Sequence, residues 1–171
     1  MSVTASSPDG RLTALVRRRN EVEVRFAPGA YRSYRPEPLS RQLAQLASLT
    51  WIRYRRARLA TLDDYLGGLV DDGDARPEDR EYWDRLAAIT VTGTSAHLQV
   101  RSRALVSWEV EIADGALDGL SEHEFLAELH SAATTLLADY RARVILLTAE
   151  IYDLGLPSRR LAGNGAPGRR P

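Results

Sequence analysis

The chain reads as one short pattern written twice. Val22-Glu23-Val24-Arg25-Phe26-Ala27-Pro28-Gly29-Ala30 lines up with Trp108-Glu109-Val110-Glu111-Ile112-Ala113-Asp114-Gly115-Ala116, 86 positions later and without a gap. The same offset pairs Thr4 with Thr90, Leu12 with Leu98, Arg17 with Arg103, Leu43 with Leu129, Ala47 with Ala133, Tyr54 with Tyr140 and Arg55 with Arg141. These identities fall on positions of equivalent structural role, which is the trace an internal duplication leaves. A fold for this sequence is therefore expected to consist of two copies of one small unit.

Apolar spacing names the elements of each copy. Val3 to Ser7 and Arg11 to Arg17 read as strands about the turn Pro8-Asp9-Gly10, because Leu12, Ala14 and Val16 alternate with Arg11, Thr13 and Arg17 after a turn-forming Asp-Gly. A second turn at Arg18-Arg19-Asn20 leads into a third strand, whose Val22, Val24 and Phe26 face one way while Glu21, Glu23 and Arg25 face the other. Gly29 supplies a bend. Pro36 suits the first turn of a helix running to about Leu66 and stopped by Gly67-Gly68, with Leu39, Leu43, Leu46, Thr50, Tyr54, Ala57, Thr61 and Tyr65 at helical spacing.

The second copy repeats the order. Ile89 and Val91, Leu98 and Val100, then Trp108, Val110 and Ile112 mark three strands, preceded by a short helix from Pro77 to Ala88. After Gly115 a long helix runs from Glu122 to about Leu154. Ser121 and Glu124 have the spacing of a capping box, and Leu120 is placed to staple against Phe125. The spacing predicts Phe125, Leu129, Ala133, Leu136, Tyr140, Leu147 and Ile151 on its buried face.

The fold class expected is α+β, with two tandem units, each a three-stranded antiparallel sheet and one long helix. The domain plan is a basic first repeat over 1–68, an acidic linker over 69–77, an acidic second repeat with its leading helix over 78–156, and a Gly/Pro/Arg tail over 157–171 expected to be disordered. A helix of about 30 residues extends about 45 Å, more than a small sheet covers. Part of each helix must find its partner in the other copy, so an intramolecular pseudo-dimer is expected, with a homodimer as a further possibility.

Charge separates the copies. Residues 1–70 hold twelve arginines against six acids, and residues 71–157 hold seven against seventeen, although the net charge of the whole is zero. All 23 basic residues are arginine, the side chain that grips phosphate with two parallel donors. The absence of cysteine rules out disulfides and thiolate chemistry, and three histidines without i, i+4 pairing offer no zinc motif. No leader-like start and no run of about 18 apolar residues occurs, so a cytoplasmic protein with no membrane partner is expected.

The string Val3-Thr4-Ala5-Ser6-Ser7-Pro8-Asp9-Gly10-Arg11-Leu12-Thr13-Ala14, the Glu-Val strand, Ala27-Pro28-Gly29-Ala30-Tyr31 and the helical Tyr54-Arg55-Arg56-Ala57 are similar to the YbaB/EbfC nucleoid-associated family in its actinobacterial form. The stretch from about Ile89 to Leu154 resembles it more faintly. The resemblance implies a small α/β protein that dimerises through its sheets, extends its helices as arms and binds duplex DNA with little sequence specificity. Only the second copy has the helix that precedes the first strand in that family. Its acidity would repel phosphate, so the resemblance points to the first copy for DNA contact.

The candidate site is accordingly Arg17, Arg18 and Arg19 at a hairpin tip, together with Arg53, Arg55, Arg56 and Arg58 on the first long helix. Arginines in a turn and along an exposed helical face displace counterions from phosphates. Trp51 and Tyr54 among them offer stacking to single strands or, alternatively, belong to the core. Asp71-Asp72-Gly73-Asp74 lacks the ligand spacing of an EF-hand. No P-loop, nucleophile elbow or dinucleotide fingerprint is present, so neither an enzyme nor a cofactor is expected. Two functions compete: a nucleoid-associated DNA-binding protein, or an adaptor that has lost DNA binding and docks a basic protein partner through its acidic second repeat.

Overall fold

The computed structural model describes residues 2–17, 21–66 and 77–152. The turn at Arg18-Arg19-Asn20, the linker up to residue 76, the Gly67-Gly68 helix stop and everything from residue 153 lie outside the described residues. Strands β1 (Val3–Ser6), β2 (Leu12–Val16) and β3 (Val22–Phe26) make one antiparallel sheet in chain order, and β4 (Thr90–Thr94), β5 (Leu98–Arg103) and β6 (Ser107–Ile112) make a second. Helix α1 (Pro36–Leu66) follows the first sheet; α2 (Pro77–Ala88) precedes the second, and α3 (Ala116–Gly119) and α4 (Glu122–Ile151) follow it.

Alternation decides the faces as read from the sequence. Leu12, Ala14 and Val16 are buried on β2, and Leu98 and Val100 on β5. The capping box forms as expected: Ser121 Oγ accepts from the Glu124 N–H at 3.3 Å, and the Glu124 carboxylate accepts from the Ser121 N–H at 2.8 Å. Donation from the Ser121 hydroxyl at 2.6 Å, together with that from its N–H, holds the Glu124 carboxyl below its usual range. Gly29 and Gly115, related by the offset, both turn the chain with positive φ, at 74° and 76°.

The gapless alignment holds from β2 onward and fails for β1. Ala14 pairs with Val24, and Val100 pairs with Val110, which keeps the offset of 86. In the first hairpin Thr4 pairs with Leu15, but the residue opposite Arg101 is Thr92. Thr4 therefore corresponds to Thr92 and not to Thr90. The cause is turn length: the Ser7 N–H reaches the Leu12 carbonyl around Pro8-Asp9-Gly10-Arg11, while the Ser95 N–H reaches that of Leu98 around Ala96-His97 alone.

A single hydrophobic cluster runs through both sheets and both long helices. Helix α1 packs on β1 and β2 and on β6 of the other sheet; α4 packs on β4 and β5 and also on β3. Phe26 and Tyr31 meet Phe125 at ring-centroid distances of 6.0 and 5.5 Å. At Gly93 α4 approaches its sheet closely, since a Cβ there would sit 1.9 Å from the Ala132 carbonyl oxygen. No described helix is long and apolar enough to cross a membrane.

Candidate nucleic-acid interface

Helical geometry sorts the middle of α1 into two populations. At 100° per residue, Thr50, Trp51, Tyr54 and Ala57 share the face that turns toward the sheets; Arg53, Arg55 and Arg56 fall outside it, and Arg58, on the line of Trp51 and Tyr54, is exposed all the same. All four arginines are exposed, and none has a carboxylate partner among the described residues. Arg53 Nη1 donates to the Thr4 carbonyl at 2.7 Å, which ties the helix to the edge strand β1. Arg55 lies near enough to Tyr140 for its charge to oppose the rise that burial and Tyr82 cause in that phenol's pKa.

The hairpin arginine stands apart from this group. Arg17 Nη2 is 3.5 Å from Glu23 on β3, the opposite edge of the sheet from β1, and Arg25 Nε donates to the same carboxylate at 2.6 Å. One acid thus serves two guanidinium groups, and with Glu21 exposed on the same edge the described charges there balance. Arg18 and Arg19 lie outside the described residues.

Trp51 and Tyr54 are turned away from any strand that the arginines would hold. Their rings stack on each other at 5.7 Å and 20°, half-buried, and both line a half-open apolar pocket of about 120 Å³. The stacking role fails because these positions share the helical face of Leu43 and Leu46.

In the second unit four arginines are engaged, while Arg80 and Arg141 are exposed with no acidic partner among the described residues. Arg85 grips Glu150 with two bonds of 2.8 and 3.0 Å, Arg143 Nε lies 3.1 Å from Asp139, Arg101 lies 3.5 Å from Glu109, and Arg103 Nε donates to the Ala87 carbonyl at 3.1 Å. Glu109 and Glu111, the carboxylates sharing one face of β6, are exposed. His97 Nδ1 is 2.8 Å from Glu128, whose other oxygen accepts from Ser95 Oγ and the His97 N–H. Burial raises the Glu128 carboxyl, but these bonds outweigh it and hold the group below its usual range. His130 Nδ1 is 3.3 Å from the Val22 carbonyl, and among the described residues no cluster could hold a metal ion.

Two features escaped sequence reasoning. One is the apolar pocket. The other is a set of exposed apolar side chains on the solvent side of the long helices: Leu49, Ile52 and Leu59 on α1, and Ile145 and Leu146 on α4. Leu59 and Ile145 are related by the offset of 86, and the spacing of Leu49, Ile52 and Leu59 places them on one helical face opposite Leu43 and Leu46. Comparison with known proteins yields no matching family, no matching curated protein and no matching solved structure.

Proposed function

We propose that this chain is a non-enzymatic DNA-binding protein of the nucleoid-associated kind, contacting duplex phosphates through Arg53, Arg55, Arg56 and Arg58 with little sequence preference. The observation that carries the reading is four exposed arginines close together on α1, none with a carboxylate partner among the described residues, whereas Arg85, Arg101 and Arg143 of the second unit are each paired with an acid. Unpaired guanidinium groups along a helix neutralise phosphates without reading bases, so affinity is salt-dependent and indifferent to sequence. On this reading the protein acts in the cytoplasm, on the nucleoid, and needs no cofactor.

The second unit serves in this reading as a fused dimerisation partner. Reciprocal packing, α1 on β6 and α4 on β3, supports an intramolecular pseudo-dimer. So do the walls of the central pocket, where Ala14 with Val100, Val22 with Trp108, Val24 with Val110, Leu43 with Leu129, Ala47 with Ala133 and Trp51 with Leu137 are all related by the offset of 86.

A second reading, the adaptor, rests on Glu111, Asp114, Asp118 and Glu122, which are exposed and have no cationic partner among the described residues. A gel-shift titration with two duplexes of unrelated sequence at two salt concentrations separates the two. Comparable binding of both duplexes, weakening steeply with salt, supports the DNA reading. No binding at low salt removes it and leaves docking of a basic protein.

A further inference from the structure

Arg141 on α4 stands 86 positions after Arg55 on α1. Both are exposed, and neither has an acidic partner among the described residues. The charge of Arg55 reaches Tyr140, the residue before Arg141, where it opposes the rise in that phenol's pKa. Tyr140 is in turn the counterpart of Tyr54, the residue before Arg55. In a two-fold arrangement every contact occurs twice, with the partners exchanged. The reciprocal packing of α1 on β6 and of α4 on β3 supports that arrangement, so Arg141 is expected beside Tyr54 as Arg55 is beside Tyr140. The two guanidinium groups then flank one pair of tyrosines.

The acidity of the second unit does not oppose a phosphate there. Its unpaired acids Glu111, Asp114, Asp118 and Glu122 lie before α4 or at its start. Arg141 is about 28 Å along the helix from Glu122, at about 1.5 Å per residue, and salt screens exposed charges beyond about 8 Å at physiological ionic strength. Acids nearer to Arg141 are mostly occupied: Arg143 holds Asp139, Arg85 holds Glu150 and Glu81, and Asp79 accepts from the Tyr152 phenol at 2.7 Å. Glu78 and Asp84 remain on α2, where the unpaired Arg80 offsets part of their charge. An exposed guanidinium with no carboxylate of its own can neutralise a phosphate. We propose that Arg141 binds the backbone of the same duplex as Arg55, so that one phosphate-binding surface is built from both units. The inference rests on the DNA reading of α1 and extends it to α4.

The test uses the full chain and a short duplex, titrated at about 50 and about 200 mM salt. Arg55→Gln and Arg141→Gln are each expected to weaken binding, and each to flatten the slope of log affinity against log salt by about 0.9. The loss in either variant should therefore be about 3.5-fold larger at the lower salt. The double variant is expected to flatten the slope by about 1.8, in a complex of one duplex per chain. Arg141→Lys keeps the charge and should keep the parent slope. Removing a held pair together, Asp139→Asn with Arg143→Gln, leaves the net charge as it was and should leave the slope unchanged. Glutamine keeps helix propensity nearly constant, so the far-ultraviolet spectra of Arg55→Gln and Arg141→Gln should match the parent. An effect of Arg55→Gln with none of Arg141→Gln overturns the inference and leaves the DNA reading confined to the first unit. Two duplexes per chain overturn it as well, because the helices would then bind separately. No binding by the unaltered protein at the lower salt removes the DNA reading itself, and the inference with it.

Discussion

The phenol of Tyr31 donates to the main-chain carbonyl of Leu120 at 3.1 Å, across 89 residues of sequence. Tyr31 follows the Gly29 bend of the first unit, and Leu120 precedes the cap of α4 in the second, so one bond fastens the two units at equivalent corners. Burial pushes the Tyr31 phenol up, so it remains a donor at neutral pH. Tyr31→Phe keeps the ring against Phe26 and Phe125 and strands the Leu120 carbonyl. The expected cost is about 1–2 kcal/mol, read as a lower urea midpoint with an unchanged m-value. An unchanged midpoint would show that water replaces the bond at no cost.

Gly93 is expected to be the least replaceable glycine among the described residues. An added Cβ would meet the Ala132 carbonyl oxygen at 1.9 Å, and that oxygen belongs to helix backbone with no flexible end to yield. Gly93→Ala should therefore force α4 off β4 at a cost of about 3 kcal/mol, at the upper end for overpacked cores. Gly119→Ala is the control, since nothing lies within 4 Å of its added Cβ. Thermal melts of the two variants should diverge sharply; equal melting temperatures would contradict the close approach.

Much of this fold was legible because local rules and tertiary packing agree. Strand alternation, the Ser121–Glu124 capping box and the spacing from Leu39 to Tyr54 all point the same way, and the elements fall where these signals put them. The slip of β1 was also written in the sequence, as Val3/Val91 and Ser7/Ser95 become identities at an offset of 88, but a gapless alignment hides a change in turn length. The candidate site was legible only in part. Which arginines keep a carboxylate partner depends on strand neighbours such as Glu23 and Glu109, and the inward turn of Trp51 depends on where α1 lies over the second sheet. Neither is a local property.

Ala104 and Leu105 form the turn between β5 and β6 with φ of 52° and 56°, a left-handed pair closed by the Val106 N–H on the Arg103 carbonyl at 3.0 Å. Both positions of such a turn favour Asn or Gly. Leu105 is retained for its burial at 1% exposure, but Ala104 is half-buried and makes no comparable contribution. Ala104→Gly is expected to stabilise by about 0.5–1 kcal/mol by removing the left-handed penalty. A lower denaturation midpoint would show that the alanine methyl contributes more packing than the strain costs.

Asp9 organises the turn between β1 and β2, accepting from Ser7 Oγ at 2.6 Å, from the Arg11 N–H at 3.1 Å and from the Tyr34 phenol. Burial opposes its charge, but these hydrogen bonds prevail and lower its carboxyl below the usual range. A depressed carboxyl binds its proton less tightly folded than unfolded. Its contribution is complete above the ordinary aspartate pKa of about 3.9 and is lost as pH falls through the lower folded value. Urea melts should therefore show Asp9→Asn less stable than the parent at neutral pH, with the gap narrowing below about pH 4. A gap independent of pH would assign the loss to shape and not to charge.

The DNA reading meets its sharpest test in Arg55, Arg56 and Arg58, which are exposed and, unlike Arg53, free of any hydrogen bond to the first sheet. Arg55→Gln, Arg56→Gln and Arg58→Gln together keep helix propensity nearly constant, so the far-ultraviolet melt should be unchanged. Binding to unrelated duplexes should weaken by a similar factor. The slope of log affinity against log salt should flatten by about 0.9 for each phosphate that is no longer neutralised. Arg101→Gln with Arg103→Gln should have little effect, because Glu109 and the Ala87 carbonyl already engage those groups at 3.5 and 3.1 Å. A triple variant that keeps both affinity and slope would move DNA binding away from α1.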